Sequence, residues 1–351
     1  MLKNYATVAL RNLVNQKSYA AINIVGLALG LAAFLVIAQY VSFELSYDRF
    51  HENVDDIYRV RHDSYRDGVS DGSSAQTFAG LAAAMKENIP EVVEATHFFA
   101  LDGGITLSSD NVVHNERQIL FADASFLQLF SFPMKAGSSG AALAQPNSVV
   151  LTATSARKYF GESDPVGKLL TVQKNDSGLD LTVTVTGVVE DPPPNSHIQF
   201  DVLLSIGTGW AEGNWGDPGA WDGPSHYTYA NLAPDASPEA VAAGLPLLVN
   251  RYAGGNLSRT NATARLSLQP LRDIRLYSLL EDELTPAGTG VRVWTLAGAG
   301  FFILIIAWVN YVNLATARSM RRAREVGLRK LVGAGRGELV KQFMLEADTI
   351  F

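Results

Sequence analysis

The chain holds 351 residues with a formal net charge of −7, 47% hydrophobic residues and no cysteine. That length allows one folded domain of ordinary size with membrane segments around it, and the missing cysteines exclude disulfides and thiolate metal sites. Between Glu44 and Gly290 acids outnumber bases about two to one, while both flanks are basic; an acidic middle argues against nucleic-acid binding and suits an outward-facing region between two cytoplasmic ends.

Leu2, Tyr5, Ala6, Ala9, Leu10 and Leu13 fall on one helical stripe, with Lys3, Asn4, Arg11 and Asn12 elsewhere. The spacing predicts a helix within residues 1–19 that lies in the membrane interface or packs on a partner. Residues 20–43 carry no charge. As a helix they rise about 36 Å, enough to cross a hydrocarbon core of about 30 Å. Lys3, Arg11 and Lys17 precede them, which puts their start on the cytoplasmic side. A cleaved signal peptide is the competing reading, but its apolar region would cover only about 7–15 residues. Gly26 and Gly30 make a GxxxG pair that would let another helix approach closely, although such pairs also arise by chance in apolar helices.

Residues 44–290 are long enough to bury a core. Ile57–Arg61 reads as a strand, Ala75–Asn88 as a helix stopped near Pro90, and Val92–Phe99 as a second strand. An insertion follows over about 105–221 and looks strand-rich. Within it Leu181–Val189 alternates cleanly, and Asp191-Pro-Pro-Pro-Asn-Ser ends the run. Gly209–Gly223 is a loop rich in Gly and Trp, whose Trp210, Trp215 and Trp221 are either buried or turned to a partner or membrane surface. His226–Leu232 then alternates like a strand. Ser237 offers an N-cap with Pro238 at the first helical position. That helix is expected to run toward Tyr252 with a kink at Pro246, and Ala264–Gln269 reads as the strand after it. The pattern is two βαβ units around the insertion.

Nothing in this region points to catalysis. Gly161-Glu-Ser-Asp-Pro-Val-Gly-Lys168 superficially looks like a phosphate loop, but it is one residue too long and Leu169 replaces the Ser or Thr that would ligate magnesium. It reads instead as a helix end and a turn. Gly333-Ala-Gly-Arg-Gly337 lacks the preceding strand of a dinucleotide site. His51, His62, His97, His114, His197 and His226 show no close metal-ligand spacing. No serine has a nucleophile-elbow context, and the carboxylates read as a solvated surface. No cofactor is expected.

Residues 291–317 are the second apolar run, with one charge, Arg292, at its edge. Its length corresponds to about 40 Å of helix. Trp294 near one end and Trp308 and Tyr311 toward the other suit the two headgroup levels. A buried helix of a soluble core is the competing reading, but such helices rarely run this long without a polar face. Residues 318–351 follow with Arg318, Arg321, Arg322, Arg324, Arg329, Lys330, Arg336 and Lys341, marking the cytoplasmic side.

Four stretches carry a resemblance. Tyr47-Asp-Arg-Phe-His-Glu-Asn-Val-Asp-Asp-Ile-Tyr-Arg-Val follows the first span. Val149-Val-Leu-Thr, Ala156-Arg-Lys-Tyr-Phe-Gly, Asp164-Pro-Val-Gly-Lys and Gly187-Val-Val-Glu-Asp-Pro lie in the insertion. Leu268-Gln-Pro-Leu-Arg-Asp-Ile-Arg-Leu-Tyr-Ser precedes the second span. Asn313-Leu-Ala-Thr-Ala-Arg-Ser, Arg324-Glu-Val-Gly-Leu-Arg-Lys-Leu-Val-Gly-Ala and Gln342-Phe-Met-Leu-Glu-Ala close the chain. With these it resembles the permease subunits of FtsX-like/MacB-like ABC transporters over nearly its whole length.

The resemblance implies an α+β membrane protein of the bacterial inner membrane: two transmembrane helices flanking a mixed α/β periplasmic core domain. It also implies a non-enzymatic subunit whose ATP hydrolysis belongs to a separate ABC ATPase. The expected docking segment is Arg324, Glu325, Val326, Gly327, Leu328, Arg329, Lys330, Leu331, Gly333 and Ala334, a short charged helix with an apolar edge. The competing reading is a basic segment that only fixes topology or binds anionic membrane lipid. A second permease copy or a paralogue, and a periplasmic adaptor, are the other partners such systems use, for efflux or lipoprotein handling. Family permeases have at least four spans, so the expectation is that Phe351 falls where a third span would begin and that the chain is an N-terminal piece, unable to transport alone. A two-span sensor with an outward ligand-binding domain is the rival class. It would need a signalling module after the second span, and the Arg/Gly-rich tail shows no sustained heptads.

Overall fold

The computed structural model describes residues 17–101, 104–109, 112–174, 179–211 and 219–331. The expected interfacial helix over residues 1–19 lies almost wholly outside these, as do Trp215 and the tail beyond Leu331. Residues group into two compact units, Glu44–Gly290 and a helical unit from the two flanks.

Helix α1 (Lys17–Leu45) leads into the folded domain. The first βαβ unit follows as β1 (Ile57–Arg66), β2 (Val69–Ser74), α2 (Leu81–Asn88) and β3 (Val92–Ala100). The insertion holds β4 (Ile105–Ser109), β5 (Val112–Glu116), β6 (Ile119–Ala122), α3 (Phe126–Leu129), β7 (Met134–Ala136), β8 (Ser148–Thr152), α4 (Ala153–Phe160), β9 (Leu169–Lys174), β10 (Leu179–Val189), β11 (Val202–Ser205) and α5 (Ile206–Ala211). The second unit is β12 (Tyr227–Leu232), α6 (Pro238–Leu248), α7 (Gly254–Arg259) and β13 (Ala262–Pro270), then α8 (Ile274–Tyr277) and α9 (Gly290–Leu331).

The main sheet runs β13-β1-β12-β3-β6-β11-β8-β10-β9-β4-β5. Its first four strands interleave the two βαβ units, each neighbour antiparallel, which is the split βαβ arrangement. The insertion continues this sheet through the β3–β6 pairing. Alternation explains the layers. Tyr227 and Tyr229 of β12 stack on Phe98 of β3 at ring-centroid distances of 5.4 and 5.7 Å, on a face rich in phenylalanine. Ala230 and Leu232 face the other way, where Leu81 and Met85 of α2 and Val241 and Leu245 of α6 cover them. In β10, Leu181, Val183 and Val185 are buried while Thr182 between them is exposed.

Most expected elements are present, and the differences have local causes. The helix expected from Ala75 starts only at Leu81. Ala75 N donates to Glu281 O at 3.0 Å and Thr77 N to His226 O at 2.6 Å, so residues 75–77 bond as extended chain and a turn at 79–80 leads into the helix. Ser237 caps α6, accepting from Ala240 N, with Pro238 in the first turn. Past Pro246 the coil widens into a π-helical turn, Val249–Ala253, before α7 carries it to Arg259. A proline that cannot donate its own N–H favours such a local adjustment. Gly161, at φ +61°, ends α4 and opens the turn before β9. Trp221 is buried, stacked between Phe78 and Tyr252.

Gly137 leaves β7 with φ +83°, and a Cβ there would lie 2.5 Å from the Thr186 carbonyl oxygen of β10. Gly137→Ala is expected to cost about 3 kcal/mol, combining left-handed strain with overpacking. Urea unfolding should show the midpoint falling at unchanged slope.

Within the helical unit α1 and α9 meet at glycines. A Cβ on Gly30 would sit 3.3 Å from the Ala307 Cβ, and one on Gly300 3.0 Å from Ile37. The GxxxG pair of α1 thus supports a close helix approach. Both helices are long and apolar enough to cross a membrane. The sequence suggested a span followed by a separate short helix. Instead α9 is one helix of 42 residues, about 63 Å long. Residues 312–331 contain no proline and are rich in Ala, Arg and Leu, so nothing breaks the helix between them.

Candidate functional site

Two connections join the domain to its helices: the turns after α1 and the segment from Leu271 to Gly290 before α9. Inside the domain they are tied by buried polar contacts.

The first contact is Glu44, in the last turn of α1. Its carboxylate takes two charge-assisted hydrogen bonds from Arg275, Nε to Oε2 at 2.7 Å and Nη2 to Oε1 at 2.8 Å. Thr289 Oγ1 donates to the same group at 3.1 Å. The guanidinium lies 4.3 Å from the centre of the Tyr47 ring and also donates to the Pro286 carbonyl. The pair is largely out of water, with side-chain exposures of 14% and 4%. A bidentate arginine fixes orientation as well as distance.

The second contact is Asp48, held at φ +58°. Its N–H donates to Asn195 O at 2.9 Å, and its Oδ1 accepts from His197 N at 2.9 Å. His197 Nδ1 lies 2.9 Å from the same oxygen, and His197 Nε2 is 2.8 Å from the Tyr229 hydroxyl of β12. Burial alone would raise the Asp48 pKa, but attraction and hydrogen bonding from His197 outweigh it and hold the carboxyl below its ordinary range. Burial pushes the Tyr229 hydroxyl well up, so it stays protonated. Beside them His51 is packed among Phe50, Phe130 and Phe132 and accepts from Ser131 N at 3.1 Å. Burial lowers its pKa to about 4, against the pull of Asp48, so the ring is neutral.

The third contact is Arg59 of β1, fully buried. It donates to both oxygens of Glu283 at 2.7 and 2.8 Å, to Gln269 Oε1 at 2.7 Å and to Ser278 Oγ at 2.8 Å. Tyr227 of β12 adds a bond to the Asp282 carbonyl at 2.7 Å. Burial opposes the charge on Arg59, but the Glu283 carboxylate more than restores it.

Together these groups clamp both connections onto β1, β12 and β13. They include no reactive nucleophile beside a base, and among the described residues no group of three or more His, Asp or Glu is arranged to hold a metal. The arrangement holds both connections to the sheet. Sequence reasoning did not single out Glu44, Arg59, Arg275 or Glu283. The available signals were an acid immediately after an apolar run and arginines inside a strand pattern. Asp48, His51, Arg59 and Arg275 did fall within stretches that carried the family resemblance.

The expected docking residues are elsewhere. Arg324, Glu325, Val326, Gly327, Leu328, Arg329, Lys330 and Leu331 form the last turns of α9, with about 50 Å of helix between Gly290 and Arg324. Gly333 and Ala334 lie outside the described residues.

The model of the MacB-like periplasmic core domain matches residues 20–246. The macrolide export ATP-binding/permease proteins MacB of Neisseria meningitidis serogroups A and B are each 20% identical over 195 residues, 55% of this chain and 26% of theirs. The chain thus matches about a quarter of the length of these curated relatives. A crystal structure of a domain assigned to a permease protein of Porphyromonas gingivalis is 28% identical and superposes with a TM-score of 0.53, covering 63% of this chain and 91% of that one.

Proposed function

We propose, since this chain belongs to the family of the MacB-like periplasmic core domain, that it works as a permease subunit of an ABC transporter and relays motion rather than catalysing a reaction. In this reading the two helices cross the inner membrane and residues 44–290 face the periplasm. A separate ATPase docks on the segment around Arg324–Leu331 with Gly333 and Ala334. A second copy or a paralogue completes the membrane assembly, with a periplasmic adaptor as a further partner. The work done would be extrusion of a periplasmic substrate, as in the export named for the Neisseria relatives, or lipoprotein handling.

The observation that carries this reading is the Glu44–Arg275 pair. It ties the chain leaving α1 to the segment entering α9. A displacement of either connection then moves strands β1, β12 and β13, which carry the other two contacts, instead of being lost in a slack loop. Packed elements switch as bodies rather than deforming continuously.

The test is co-reconstitution with the cognate ATPase. Glu44→Gln with Arg275→Met should leave ATPase binding intact and reduce its stimulation by about five- to tenfold, the usual scale of coupling between sites. Glu325→Ala with Arg329→Ala should weaken binding itself. Unchanged stimulation in the first variant would remove the clamp from the mechanism, and unchanged binding in the second would remove the docking segment.

A further inference from the structure

We propose that Tyr277 and Leu279 form a lipid-facing foot of the folded domain, inserted in the outer interface of the bilayer. Leu279 is 87% exposed and Tyr277 55% exposed, while Ser278 between them is 2% exposed. Ser278 is turned inward, bonded to Arg59 and Glu283, and Ile274 beneath is buried. The two outward side chains therefore sit on a fixed loop, not a slack one.

Their depth is set by their neighbours. A Cβ placed on Gly290 would lie 3.0 Å from the Tyr277 ring and 2.8 Å from the Leu276 carbonyl oxygen. One placed on Gly288 would lie 2.5 Å from Leu279 Cδ2. Thr289 N donates to Arg275 O at 3.3 Å. Tyr277 thus packs against Gly290, the first residue of α9 and of its apolar stretch, and Leu279 against Gly288 just before it. Whatever surrounds the start of that stretch surrounds the foot. Of the nearby charges, Arg275 is paired with Glu44 and Glu283 with Arg59, while the exposed Glu281 suits headgroup depth rather than the hydrocarbon. Asp282 accepts from Ser74. A tyrosine at headgroup level beside a leucine is the chemistry of a membrane interface. The proposal rests on the reading that α9 spans the membrane, and lipid is the occupant because Tyr277 packs against Gly290, the residue at which that apolar stretch begins.

The absence of cysteine makes single-site labelling direct. Leu279→Cys, Val69→Cys and Phe302→Cys in the 351-residue chain would each carry a nitroxide, in nanodiscs of phosphatidylethanolamine and phosphatidylglycerol. Val69 is exposed and lies about 30 Å of strand from the Ile57 end of β1. Phe302 lies mid-span and exposed. Collision with oxygen reports lipid, and collision with a water-soluble nickel chelate reports solvent. Position 279 should show an oxygen-to-nickel ratio severalfold above position 69 and below that of the mid-span position 302. If 279 matched 69 while 302 reported lipid, the foot would be wrong and the span would stand. If 302 also reported water, the spanning reading would fall and the foot with it. Shielding of 279 from both reagents would mean protein contact, such as a second copy, and would also overturn the proposal.

Discussion

Replacing Arg59 by methionine is expected to lower the thermal midpoint of the detergent-solubilised chain by about 10 °C. Arg59 is the largest fully buried side chain among the described residues, and it answers Glu283, itself only 12% exposed. Removing one member of a buried pair leaves an uncompensated charge, at about 3–5 kcal/mol. For a domain of this size each kcal/mol shifts the midpoint by about 2–4 °C. Gln269 and Ser278 lose a partner in the same step. The double variant Arg59→Met with Glu283→Leu should recover much of the loss, because an apolar pair avoids the desolvation that the ion pair has to overcome. Near-UV circular dichroism during heating would measure both. A single-variant shift below about 2 °C would mean that water reaches the pair.

Acid should weaken the domain well before its carboxylates titrate. Burial holds the folded His51 at about 4, against the attraction of Asp48. Burial, with the His97 ring adding repulsion, does the same to His226. Free histidine titrates near 6.5. Below that pH the unfolded chain binds a proton at each site that the folded chain refuses until about pH 4. Stability is therefore full above 6.5 and falls as pH drops toward 4. Linkage makes this roughly 3 kcal/mol for each ring. His62, lowered by burial against the pull of Asp63, contributes in the same direction. Asp48 has the same sign of dependence in a more acidic window. Its folded pKa lies below 3.8, so its contribution is present above that value and disappears only in stronger acid. Midpoints at pH 7.5 and 4.5 should differ by about 10 °C. His51→Phe, set among the rings of Phe50, Phe130 and Phe132, should shrink that difference. An unchanged midpoint at pH 4.5 would show that the rings carry charge inside the fold.

The sequence was informative where the physics is local. Alternation in Leu181–Val189 marked β10, and Ser237 with Pro238 marked the start of α6. The two βαβ units with a strand-rich insertion were legible from the order of such segments. The interleaving of their strands was not, because nothing near Tyr58 announces that it will pair with both Ala230 and Pro270. The clamp was hidden for the same reason. Glu44 and Arg275 are ordinary charges until the fold brings them together, and a buried Arg59 looks in sequence like any strand arginine. Ala75–Thr77 falls in the expected helix but bonds as extended chain, because its partners, His226 and Glu281, come from far along the chain.

The strand order also dictates a timetable. Strand β1 leaves the biosynthetic machinery early, yet apart from β2 its partners β12 and β13 arrive only after the whole insertion. Within the insertion, β6 finds β11, β8 finds β10 and β9 finds β4 over shorter separations, and shorter loops close sooner. The nascent chain therefore assembles from its middle outward, and the segment that receives both tethers is the last to become solid.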